Sequence, residues 1–134
     1  MKKAILAVLA LLMAGCAAQK PAETKTDLPM PDREDLPVKV YCQRCYEYGD
    51  SVETEDPEVI QALLSQIASL EYGEESTYMV DDFTDILYFQ YEDGTVVRYE
   101  FEENNYVAED GKRYRTEGLS ALRTMLDELF QESY

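Results

Sequence analysis

Apolar positions along the chain recur with two different periods. Val59, Ile60, Leu63, Leu64, Ile67 and Ala68 fall at helical spacing behind Asp56-Pro57. An Asp at the N-cap and a Pro in the first turn are the ordinary opening of a helix, and Gly73 lies past its end, so the pattern predicts a helix over 57–71. Leu119, Leu122, Met125, Leu126, Leu129 and Phe130 make a second stripe. This predicts a helix over 117–131, with Thr116 as its cap and Glu117 in its first turn. Between them the period shortens to two. Segments 83–92 and 95–102 flank Asp93-Gly94, a strong hairpin signal. A two-residue loop there sets Glu92 opposite Thr95. It gathers Ile86, Tyr88 and Gln90 on one face with Val97, Tyr99 and Phe101, the expected core face. Leu87, Phe89 and Tyr91 then share the other face with Val96, Arg98 and Glu100. Asn104-Asn105 and Asp110-Gly111 bracket short strands at 106–109 and 112–115, with Glu109 facing Lys112. The Val- and Tyr-rich run VKVYCQRCYEYGDSVET, at 38–54, also reads as strand.

These elements predict an α+β domain: an antiparallel meander of four to five strands with two helices packed on one face, in the order β-α-β-β-β-β-α. That order resembles the TATA-binding-protein-like arrangement, a likeness of layout that brings no nucleic-acid role with it. Asp56-Pro57-Glu58 and Tyr91-Glu92-Asp93-Gly94 are similar to features of C-terminal domains of unknown function in small lipoproteins of Gram-positive bacteria. The resemblance implies no catalytic residues.

The N-terminus carries a different signal. Lys2 and Lys3 precede an apolar run of eleven residues, 4–14, too short to cross a bilayer, which takes ~20. Basic start, apolar stretch and small residues before a cysteine describe a secretory signal peptide. Leu12-Met13-Ala14-Gly15-Cys16 resembles the lipobox of bacterial lipoproteins, with Met13 in place of the more usual Leu, Val or Ile. The resemblance implies a diacylglyceryl group on Cys16, cleavage before it, and acylation (such as palmitate) of its new amino group. It thus implies a signal peptide over 1–15 and a protein lipid-anchored to the cell membrane on its extracytoplasmic face. Two or more acyl chains make such an anchor stable. Four of the five prolines fall in 17–37, beside many charges and no aromatic. Such a composition predicts that 16–37 is the lipidated cysteine and a disordered tether, with 38–134 as the single folded domain.

Composition narrows the chemistry. Twelve Lys+Arg stand against 28 Asp+Glu, a net charge of −16, which argues against nucleic acid as partner. No histidine is present, so Ser-His, Cys-His and His-metal sites are excluded. The acidic groups Asp81, Asp82 and Asp85, Glu74 and Glu75, and Glu102 and Glu103 lack the spacing of a calcium loop and read as solvated surface. With Cys16 lipidated, Cys42 and Cys45 remain as a pair. In an oxidising compartment they read first as a disulfide, which needs a tight loop or bulge at Gln43-Arg44. A redox-active pair, half of a metal site and two free thiols are the alternatives. Lys112, Arg113 and Arg115 form a basic cluster that either pairs with neighbouring Glu or receives an acidic group. Tyr is abundant, at eleven. Tyr41, Tyr46, Tyr48, Tyr91 and Tyr106 are candidates for an aromatic binding patch if one sheet face is uncovered. The expectation is a non-catalytic binding or interaction domain for a protein, peptide or glycan, without cofactor or metal. The alternative is a thiol-disulfide or redox-sensing lipoprotein working through Cys42 and Cys45.

Overall fold

The computed structural model describes residues 25–45, 49–77 and 84–132. In chain order the elements are β1 (Thr26–Asp27), β2 (Lys39–Cys45), β3 (Asp50–Thr54), α1 (Pro57–Ala68), β4 (Glu71–Glu75), β5 (Thr84–Gln90), β6 (Val96–Glu102), β7 (Asn105–Val107), β8 (Arg113–Glu117) and α2 (Leu119–Glu132). Among the described residues the strands form one antiparallel sheet, β1-β4-β8-β7-β6-β5-β2-β3. The fold is α+β, as its periodicities require; among the described residues it has two helices, but the sheet has eight strands and not four to five.

α1 opens as predicted. The Asp56 carboxylate accepts from the Glu58 amide at 3.0 Å, and Pro57 occupies the first turn, where its missing N–H costs nothing. The helix stops at Ala68, three residues before the expected end. Leu70 turns into the core, 2 % exposed, and Glu71 begins β4, a strand the sequence pattern does not announce. α2 also starts later than expected. Thr116 is not its cap but a buried residue of β8, whose hydroxyl accepts from the Tyr106 amide at 3.2 Å. Gly118, at φ 86°, makes the corner into α2.

The Asp93-Gly94 hairpin exists with a different loop. Tyr91 N–H donates to Thr95 O (2.8 Å) and Gly94 N–H to Tyr91 O (3.0 Å), leaving residues 92–94 as the loop with Gly94 at φ 89°. This is the three-residue form, which needs a left-handed last residue. The Asp93 carboxylate holds it by accepting from the Thr95 amide at 2.9 Å. The β7–β8 turn repeats the device, with Gly111 at φ 81° and Asp110 accepting from Lys112 N–H at 2.9 Å, so Glu109 does not face Lys112.

That one extra loop residue moves the register by one and turns β5 over. Leu87 faces Tyr99 and Phe89 faces Val97. Leu87 and Phe89 therefore enter the core beside Tyr99 and Phe101, while Ile86, Tyr88 and Gln90 go to the opposite face with Val96, Arg98 and Glu100. The expected core assignment was right for β6 and inverted for β5. Ile60, Leu63 and Ile67 of α1 and Leu122, Leu126 and Phe130 of α2 complete the same cluster, so both helices cover one face of the sheet.

Residues 25–37, expected in the tether, belong to the folded domain. Thr26 pairs with Tyr72 and Asp27 with Glu71 on the sheet edge, and Leu28 is 3 % exposed within the core. The Tyr99 hydroxyl donates to the Pro29 carbonyl at 2.8 Å. Arg33 lies 4.0 Å over the Tyr91 ring and bonds both Asp35 and Asp93. A single buried leucine and a few polar anchors hold this strap across the sheet despite its prolines. Residues 1–24, which include the expected signal peptide, Cys16 and the first part of the tether, lie outside the described residues.

Candidate functional site

Among the described residues no helix covers the second face of the sheet. That face is open towards the β5–β6 hairpin, at Gln90, Val96 and Arg98, and buried at its other end, at Ile86, Glu102, Asn105 and Val107. Strand alternation lays Tyr41, Tyr88 and Arg98 in one cross-strand row there, since Tyr41 pairs with Tyr88 and Tyr88 with Arg98. The two rings are 5.9 Å apart, and the Arg98 guanidinium lies 5.9 Å from the Tyr88 ring. Glu100 accepts from Arg98 at 2.7 Å. The Tyr88 hydroxyl and Glu100 both favour the charged form of Arg98 and push its pKa up. Tyr41 is 36 % and Val96 53 % exposed at this surface. The row thus presents aromatic faces, a fixed cation and a fixed anion together on a rigid sheet, a set suited to holding a partner in one orientation.

The expected tyrosine patch divides. Tyr41 is on this open face. Tyr91 and Tyr106 are on the helix-covered face, 3 % and 5 % exposed, for the same reason of strand alternation. Tyr91 lies beneath Arg33, and Tyr106 stacks 5.5 Å from Tyr72. Burial raises the pKa of both hydroxyls and takes that of Tyr99 to about 12. Tyr46 and Tyr48 lie outside the described residues. Tyr88, which the two-residue loop had assigned to the core, is the member the sequence reading missed.

Cys42 and Cys45 are free thiols. The tight loop that a bridge requires is absent. Gln43 and Arg44 pair in register with Ser51 and Asp50 on one side and with Ile86 and Asp85 on the other. Residues three apart on such a strand point to opposite faces. Cys42 is buried at 1 % exposure, and burial first, then Asp85, push its thiol up to about 12. It behaves as a small core residue.

The charges near it are arranged for structure. Asp85, 2 % exposed, accepts from Arg44 at 3.0 Å and from Arg123 at 3.4 Å; Arg44 also bonds Asp127 and lies 5.0 Å from the Phe130 ring. This cluster ties β2 and β5 to α2. In the basic cluster Arg113 pairs with buried Glu102 at 2.9 Å, while Lys112 and Arg115 are exposed.

Among the described residues no group of three or more Cys, Asp or Glu has the geometry to hold a metal ion, and no helix is long and apolar enough to cross a membrane. No protein-family model, curated protein or solved structure matches the chain.

Proposed function

We propose that this protein is a membrane lipoprotein, acylated at Cys16 and held on the extracytoplasmic face of the cell membrane. Its domain acts there as a non-catalytic binding module for a protein, peptide or glycan. The observation that carries the binding role is the open sheet face, where Tyr41, Tyr88, Arg98 and Glu100 stand in register on a rigid scaffold. The address rests on Lys2-Lys3, the apolar run and the Leu12–Cys16 motif. The redox alternative has less support, because Cys42 is buried with a raised pKa and alternates in face with Cys45.

Two measurements on the full chain in a bacterial host test the two halves separately. Metabolic labelling with an alkynyl fatty acid should mark the wild type and not Cys16→Ala; an unlabelled wild type overturns the anchor. A photo-crosslinking residue at Tyr41 should yield discrete adducts in the cell envelope that disappear in Arg98→Ala and are absent when the probe replaces Glu109. Adducts of equal yield at both positions, or none at Tyr41, overturn the binding face.

A further inference from the structure

The helical side of the molecule has a feature of a different kind. The start of α1 lies against the end of α2, and a groove of about 230 Å³ runs between them. Val59, Ala62 and Leu63 of α1 and Met125 and Leu129 of α2 supply its apolar lining. Its rim carries Asp56 and Glu58 on one wall and Glu128 and Glu132 on the other.

All four rim carboxylates are exposed, and among the described residues no cation lines the groove. The ion pairs found among the described residues engage other acids, on the strap, the sheet and the Asp85 cluster. The last turn of α2 has no basic residue, so its carbonyl end adds negative potential where Glu128 and Glu132 already stand, whereas the amide end of α1 offsets Asp56 and Glu58 and leaves the α2 wall the more negative. Like charges on the two walls raise each other's cost, and an occupant that brings positive charge to both relieves it. A second copy of the chain would bring the same acids, and an anionic surface would be repelled. The complementary occupant has apolar side chains for the floor and Lys or Arg on either side of them.

We propose that the α1–α2 groove docks a basic, amphipathic peptide segment of a partner protein. Apolar side chains rest over Leu63 and Leu129, against Val59 and Met125, and flanking cations meet Asp56 and Glu58 on one wall and Glu128 and Glu132 on the other. This surface is independent of the open sheet face, so the protein has two sides with different partner chemistry.

Fluorescence anisotropy of the full chain with a labelled synthetic peptide of lysine and leucine at helical spacing tests the proposal. Binding should saturate and weaken about fivefold in Glu128→Gln/Glu132→Gln, the size expected for two exposed charge pairs. Ala62→Phe, which adds bulk to the groove lining without changing charge, should weaken it as well. Glu92→Gln/Glu109→Gln removes the same charge at two hairpin turns and should leave binding unchanged. Equal weakening by both charge variants, or equal binding of a probe with serine in place of leucine, would reduce the effect to general attraction to an acidic protein and overturn the proposal. Absence of saturable binding overturns it too.

Discussion

Leu28→Ala tests whether the strap is structure or spacer. Leu28 is 3 % exposed and shares the core cluster with residues of both helices and the central strands. Truncating a leucine so buried removes its transfer free energy and leaves a cavity, at about 3 to 5 kcal/mol in a rigid site. The strap can relax around the gap, because its pairing to β4 covers only Thr26 and Asp27. The expected loss is therefore near the lower end, about 3 kcal/mol, out of a total on the order of 5–15 kcal/mol for a small domain. At roughly 4–8 °C per kcal/mol for a domain of this size, the melting temperature should fall by about 12–24 °C. Urea unfolding followed by far-UV circular dichroism measures the loss directly, as a lower midpoint at unchanged slope. Leu36→Ala is the control within the same strap, since Leu36 is 51 % exposed and its truncation should change the midpoint little. A loss below about 0.5 kcal/mol for Leu28→Ala, the range of neutral surface substitutions, would refute the packing of the strap.

Asp85→Asn leaves the Arg44 and Arg123 guanidinium groups without their shared counter-charge. It should cost about 2–3 kcal/mol in the same assay, moderated by the partial exposure of both arginines. Asp127→Asn, at a carboxylate 55 % exposed, should cost under about 1 kcal/mol. The Asp93 carboxyl should titrate near 2 by carbon-13 NMR, held down first by the Thr95 amide and hydroxyl and then by Arg33. Arg33→Ala should return only part of that shift. Because the folded-state pKa is depressed, this carboxylate stabilises the fold above about pH 4 and its contribution is lost as the pH falls toward 2; Asp93→Asn should flatten that part of the stability profile. Finally, Cys42 should resist alkylation in the native protein at pH 8 and react after unfolding in urea without reductant, as should Cys45. A disulfide would leave both unreactive until reduced.

The parts of this fold that depend on neighbours in sequence were legible there. α1 begins where Asp56-Pro57 demands, and its buried residues lie on the predicted stripe. The β5–β6 and β7–β8 turns lie at the two Asp-Gly pairs. Val96, Arg98 and Glu100 lie, as expected, on the face of β6 opposite the core. The candidate site was only half readable, because Tyr88 changes face with the loop. Asp-Gly is compatible with a two-residue loop and with the three-residue loop that Asp93 and Gly94 form, and nothing in the alternation of FTDILYFQYE separates Leu87 and Phe89 from Ile86 and Tyr88 as core residues.

Sequence alone determined the helices, their apolar stripes and the turns, since each is a matter of local spacing or residue type; the acids read there as solvated include Asp85 and Glu102, which the fold buries against arginines. Tertiary structure alone decided the eight-strand order, the strands β1 and β4, the register of β5 and the burial of Leu28. Those rest on pairings between distant segments, in which a weakly patterned stretch such as EYGEE becomes strand because β8 offers it unpaired amides and carbonyls. The cysteines obey the same rule: a spacing that permits a bridge in a loop forbids it once both neighbours of β2 hold that strand extended.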